Sequence, residues 1–238
     1  ASRCLVFIPA LLAYFALLGG CYTNPVTGRS YAVLVPVETE RALGEQSFAE
    51  VKKTEKVSNN PTYNARVNSV GKRIAAAIGN DMPNAQWEFV VFESKELNAF
   101  ALPGGHVGVH LGLIALTASR DELASVLAHE LSHVTQRHIA RSIGSAGRQS
   151  SLGVVALLLG LLVASRTSNP DVAYAAMAGS QAAMIQGQLN FSRDMEREAD
   201  RIGFGVFADA GFAPVGMARM FERLDQASRL FDNGSFPY

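Results

Sequence analysis

A chain of 238 residues can bury one substantial core but is crowded for two full domains, so one domain with small attachments is the economical reading. Its 21 basic and 21 acidic residues cancel, which excludes the basic footprint that binding to nucleic acid requires, and no nucleic-acid partner is expected.

The chain opens with Arg3 ahead of an apolar run over 5–18 that closes on Leu18-Gly19-Gly20-Cys21. As a helix those 14 residues rise roughly 21 Å, short of the roughly 30 Å hydrocarbon core, so 1–20 reads as an export signal and not as a permanent span. Leu-x-Gly-Cys has the form of a bacterial lipobox, which makes Cys21 the expected lipidated first residue of the mature chain. Loss of Cys4 with the signal leaves no disulfide expected, even in an oxidising compartment. Residues 21–37 follow as a lipid-anchored tether, with Pro25 and Gly28 marking an extended or turning segment.

Helical patterns run over 38–56 and 63–78, punctuated by Pro61 and Gly79. The Phe- and Val-rich stretch 87–92 predicts a strand, as do 98–102 and 106–111, and Pro103-Gly104-Gly105 predicts the turn that joins the last two in a hairpin. Ser119-Arg120-Asp121-Glu122 matches a capping box, in which Ser119 accepts the N–H three residues on while Glu122 reaches back. A long helix is predicted from there to about Ser142, with Leu123, Val126, Leu127, Leu131 and Val134 as its apolar stripe.

Beyond it, 152–164 is apolar or glycine throughout, and Asn169-Pro170 offers a cap and first-turn proline for a charge-free, Ala-rich segment over 172–189. Thirteen residues are short for a span, so the pair reads as a buried or membrane-touching helical hairpin. Helices over 194–209 and 214–230 complete the chain, with Phe191, Phe204, Phe207 and Phe212 expected in the core. The elements add up to an α+β fold, mostly helical, with a small β-sheet.

The chemistry concentrates in His129-Glu130-Leu131-Ser132-His133, the His-Glu-x-x-His pattern of zinc proteases. Residues four apart lie one helical turn apart on nearly the same face, so both imidazoles can address one ion. Glu130 falls between them toward the apolar stripe, where a carboxylate is costly to bury unless proton chemistry occurs in front of it, and this suits a general base. His138 lies about 140° round such a helix from His133 and should not join the pair. His106 and His110 are expected on a strand near the cleft, without a metal role.

A catalytic zinc takes three protein ligands as a rule, and a third must come from elsewhere. Gln136 and Ile139 stand where a metzincin would have glycine and histidine. Between Glu130 and Glu196 the only acids are Asp171 and Asp194, so the cluster Asp194, Glu196, Glu198, Asp200 is the natural source. On a helix Glu196 and Asp200 share a face with Gly203, while Glu198 points roughly the other way. Glu196 could then bind the ion, Asp200 could orient a ligand histidine, and Gly203 could let two helices approach closely. Spacing alone supports equally an ordinary surface helix whose Arg193, Arg197 and Arg201 pair with neighbouring acids.

Three segments taken together, Asn98-Ala99-Phe100-Ala101-Leu102-Pro103-Gly104-Gly105, the motif at 129–133, and Ser192-Arg193-Asp194-Met195-Glu196-Arg197-Glu198-Ala199-Asp200, resemble the zinc peptidase family of the CAAX prenyl proteases, above all its bacterial envelope members. The likeness extends from about Asn24 onward. It implies a zincin-like metalloprotease domain over 38–238, with one Zn2+ held by His129, His133 and Glu196, Glu130 as catalytic base and Asp200 behind the metal ligands. It implies also that Asn98, Ala99, Phe100 and Ala101 line the cleft and pair with an extended polypeptide substrate. The expected setting is the periplasmic face of a bacterial membrane, the outer membrane in particular, with unfolded or misassembled envelope proteins as substrates. Members commonly continue into a Thr-His-Pro-like segment that this sequence does not contain, so the domain is read as open to truncation at its C-terminus.

Overall fold

The computed structural model describes residues 20–23, 28, 30–33, 35–79, 82, 85–145 and 193–231. Most of the expected signal and the whole of 152–164 and 172–189 lie outside the described residues. The chain divides into two compact units, one of residues 1–40 with 137–190 and one of 41–136 with 191–238.

The first unit contains an antiparallel pair, β1 (Gly20–Thr23) and β2 (Ser30–Val33), in the register Gly20↔Val33 to Thr23↔Ser30. The Pro- and Gly-containing segment expected to turn or extend therefore joins two short strands. A short helix, α5 in chain order (His138–Ser145), packs on β2. In the same unit the Arg137 guanidinium donates to a Glu40 carboxylate oxygen at 2.8 Å and to the Val35 carbonyl at 3.0 Å. Burial pushes the Glu40 carboxyl up, and the charge and hydrogen bonds of Arg137 only partly oppose this.

The second unit holds most of α1 (Val37–Thr54), then α2 (Pro61–Ile78), β3 (Glu88–Phe92), β4 (Ala99–Leu102), β5 (His106–His110), α3 (Leu111–Leu116), α4 (Arg120–Thr135), α6 (Arg193–Asp209) and α7 (Val215–Phe231). Pro61 occupies the first turn of α2, and the side-chain oxygen of Asn60 caps it by accepting from the Thr62 and Tyr63 amides. Three strands make a mixed sheet in the order β3-β5-β4. β3 runs parallel to β5, and β4 pairs antiparallel with β5 through the expected hairpin. Its turn needs glycine, since Gly104 and Gly105 have φ of 93° and 100°.

Strand alternation sorts the sheet into two faces. Phe89 and Val91 of β3 with Val107 and Val109 of β5 enter the main core beside Val67, Val70 and Ile74 of α2 and Leu123, Leu127 and Leu131 of α4. Ala99 and Ala101 pack on the same core, and their small side chains let β4 lie against α4. The other face carries Phe92, Phe100, His106 and His110, covered by Phe48 of α1. Gly108 is required there, because a Cβ on it would stand 2.3 Å from the Phe100 ring.

Two expectations need correction. The motif helix ends at Thr135 and not near Ser142: Arg137 sits at φ 52° in the left-handed region, which stops an α-helix, and α5 starts afresh at His138. The segment after β5 forms the six-residue helix α3, where the pattern suggested only the end of a strand. Phe207 and Phe212 are core residues and stack at 5.6 Å, but Phe204 is 44% exposed. Phe191 lies outside the described residues.

Candidate metal centre

α4 begins as its sequence dictates. The Ser119 hydroxyl accepts from the Glu122 amide at 3.1 Å, and the Glu122 carboxylate accepts from the Ala118 amide at 2.6 Å, one residue before the position of the usual box. Arg66 donates to the Ser119 carbonyl and the Thr117 hydroxyl, and Arg223 pairs with Glu122 at 3.0 Å, so the start of the helix is held from α2 and α7. Leu123, Leu127 and Leu131 are fully buried, which fixes the rotation of α4 and presents His129 and His133 toward α6.

α6 crosses close to α4 at Gly203, where a Cβ would meet the backbone of Ala128 and His129 at 3.1 Å. Its C-terminal end is held by Arg73, which donates to the carbonyls of Ala210 at 2.6 Å and Gly211 at 2.9 Å. With α6 so placed, the shared face of Glu196, Asp200 and Gly203 turns toward the motif.

The Nε2 atoms of His129 and His133 lie 3.0 Å apart, and a Glu196 carboxylate oxygen stands 3.4 Å from the first and 3.8 Å from the second. These are the three residues, among those described, whose ligand atoms gather within 4.8 Å of one another. Donors at roughly 2.0–2.1 Å from a tetrahedral ion lie about 3.3 Å from each other, so the spacing suits one small divalent cation. The Asp200 carboxylate is 2.8 Å from Nδ1 of His129, and by accepting that N–H it turns the Nε2 atom toward the other two groups. Glu198, by contrast, is buried on the far side of α6 and takes no part in the group.

The electrostatics follow from crowding acids around imidazoles. Burial works against a charge on His129, but the hydrogen bonds of Asp200 and Glu196, with the charges of Glu130 and Asp200, push its pKa up to about 10. Burial pushes the Glu130 carboxyl up to about 7; the charge of His129 opposes this and that of Glu196 adds to it. A carboxyl so placed takes up or releases a proton near neutral pH, which is what proton transfer at a hydrolytic site requires.

The structure brings His129, His133, Glu196 and Asp200 together, and places Asn98, Ala99, Phe100 and Ala101 at the start of β4, the edge strand lying beside α4. The Phe100 ring does not face that helix: it packs on Phe92 at 6.0 Å and on Phe48 at 6.3 Å, on the other side of the sheet. His106 and His110 lie on that side as well, away from α4, because they alternate with the core residues Val107 and Val109. Glu55 and Glu96, which no motif marks, both approach His110. Alternation along 106–110 is the one sequence signal that separates these histidines from the motif.

No helix among the described residues is long and apolar enough to cross a membrane. The chain is 34% identical over 206 residues to the beta-barrel assembly-enhancing protease of Escherichia coli, covering 86% of this chain and 42% of that protein. It is 32% identical over 206 residues to the mitochondrial metalloendopeptidase OMA1 of Schizosaccharomyces pombe, covering 85% and 57%. To the metalloprotease LoiP of Escherichia coli it is 29% identical over 175 residues, covering 67% and 62%. The chain thus spans less than two thirds of the length of each of these curated relatives. The model of peptidase family M48 matches residues 61–234, from the start of α2 through the motif, the edge strand and both C-terminal helices, and on that match the chain belongs to peptidase family M48.

Proposed function

We propose that this chain is the catalytic part of a zinc-dependent endopeptidase of the bacterial cell envelope, hydrolysing peptide bonds of unfolded or misassembled membrane and exported proteins. The observation that carries the reading is the gathering of two imidazole nitrogens and one carboxylate over the α4–α6 crossing, with a further carboxyl adjacent in sequence. Kinship with the CAAX prenyl proteases, suggested by the three motifs, belongs to the same reading.

In this proposal His129, His133 and Glu196 hold one Zn2+, and Asp200 fixes the tautomer and direction of His129. The ion supplies Lewis acidity, which makes water a nucleophile near neutral pH and polarises a peptide carbonyl. Glu130 accepts the proton of the attacking water and returns it to the leaving amine.

The sheet supports a mode of substrate binding. The Asn98 carbonyl accepts from the His110 amide at 3.0 Å, and the register pairs Phe100 with Gly108 and Leu102 with His106. Antiparallel pairing alternates, so Ala99 and Ala101 turn their N–H and C=O groups away from β5, toward the side of β4 that no described strand occupies. An extended peptide adding there would make main-chain hydrogen bonds to Ala99 and Ala101, which favours unfolded clients over folded ones. In this arrangement Phe100 shapes the strand from behind, and its side chain does not read the substrate.

Casein hydrolysis by zinc-loaded protein tests the proposal. Glu130→Gln is expected to lose about 10²–10⁴-fold in rate while keeping its zinc, and equal activity in the two proteins would rule the mechanism out. A second reading, an assembly factor for outer-membrane proteins with low or gated proteolysis, is favoured by the assembly-enhancing name of the Escherichia coli relative. Assembly function that survives removal of His129 and His133 would select it.

A further inference from the structure

His110 is 97% buried at the end of β5, with its ring wedged edge-on between Phe92 and Phe100 at 6.2 and 6.1 Å. Its Nε2 lies 3.2 Å from a carboxylate oxygen of Glu55, just beyond α1, and its Nδ1 lies 3.5 Å from one of Glu96, in the loop between β3 and β4. Neither nitrogen has a partner in good hydrogen-bond geometry. Carboxylates only accept, and a neutral imidazole has one donor and one acceptor nitrogen, so the neutral ring would turn a lone pair on one of the two acids. Only the doubly protonated ring can donate to both.

The same residue governs the edge strand. Its backbone N–H holds the Asn98 carbonyl, the first link of β4 to β5, and Glu96 stands two residues before Asn98. The neighbouring Lys56–Glu93 ion pair at 2.6 Å and the Glu93 amide on the Lys56 carbonyl tie the same loop to the segment after α1. Phe92 and Phe100 bring no charge, and among the described residues Glu55 and Glu96 are the acidic groups that approach the ring.

We propose that His110 is a positioning residue for substrate binding: its ring, set between Glu55 and Glu96, pins the loop over 93–98 and so presents the outer edge of β4 in one register. This rests on the proposal that an extended substrate pairs with β4. His110 touches neither the metal ligands nor the reacting atoms; the clasp acts on affinity for the peptide, not on the chemical step.

Hydrogen exchange of the amides over 93–102, expressed as protection factors, tests the clasp whether or not the chain hydrolyses peptides. In Glu96→Gln, whose side chain is mostly exposed and whose replacement spares the core, protection over 93–102 is expected to fall about threefold to tenfold, the scale of one charged contact, while protection of α4 is unchanged. Protection over 93–102 in Glu96→Gln equal to that of the native protein would overturn the clasp. Where zinc-loaded protein cleaves casein, Glu96→Gln is expected to raise KM with kcat held within about twofold. A loss in kcat without a change in KM would overturn the positioning role, while absence of cleavage in all proteins, with the exchange result intact, would count against the peptidase reading alone.

Discussion

Glu196 and Glu198 lie two positions apart on one helix, yet one joins the imidazole pair and the other is buried away from it. Metal analysis of purified protein should therefore show stoichiometric zinc in Glu198→Ala, if that variant folds, and its loss in Glu196→Ala; the reverse would move the third ligand. Asp200→Asn keeps the shape but weakens the acceptor behind His129, and a zinc affinity reduced by about 10–100-fold is expected from a chelator competition. Far from the centre, Glu88 accepts from Lys52 at 2.8 Å and lies 3.1 Å from Nδ1 of His106. Partial burial acts to raise its pKa, but the hydrogen bonds and charges of Lys52 and His106 outweigh this and hold it below the usual carboxylate range. A depressed carboxylate stabilises the fold above its unfolded pKa of about 4.3 and loses that contribution as pH falls through the lower folded value. Urea titrations should accordingly show Glu88→Gln slightly less stable at pH 6, by under about 1 kcal/mol for so exposed a pair, with the gap closing near pH 2.

Elements in this unit are positioned by close approaches that admit no side chain. Gly108 lies under the Phe100 ring, and Gly203 lies on the backbone of α4. Gly108→Val would force the ring from its place among Phe48, Phe92 and His110, and a destabilisation of about 1–3 kcal/mol in a urea titration is expected. A variant as stable as the native protein would mean that β4 can move away from β5 at little cost. The elements themselves were largely legible in sequence. The box at Ser119 and Glu122 and the turn at Gly104-Gly105 each specify a boundary by local chemistry, and those boundaries fall there or one residue away, while the helix expected from Tyr63 begins two residues earlier, at Pro61 itself. The end of α4 was not legible, because an apolar pattern continues past Thr135 and nothing local marks Arg137 for the left-handed region. There a buried ion pair with Glu40, 97 positions earlier, accompanies the break.

At the scale of the whole molecule, a bound ion is also a stabilising ligand. Zinc at about 100 times its Kd should add about 2.7 kcal/mol, which for a chain of this size raises Tm by roughly 5–10 °C, and His129→Ala should show no such rise. The lipid reading of Cys21 predicts that Cys21→Ser releases the chain from the membrane fraction of cells, and retention would point to another anchor. What the amino-acid order determined by itself is whatever rests on short range: the helical spacing that aligns His129 with His133, the caps, the hairpin turn, and the common face of Glu196, Asp200 and Gly203. Spacing could not decide between a metal-bearing and a salt-bridged α6, because either helix has the same periodicity. Tertiary structure carried α6 across α4 at Gly203 and so brought Glu196 and Asp200 to His129, and it alone decided which strands lie at the sheet edges, which groups of β4 face away from β5, and that His110 stands between two acids. Those outcomes depend on how strands and helices are ordered in space, which no local preference encodes.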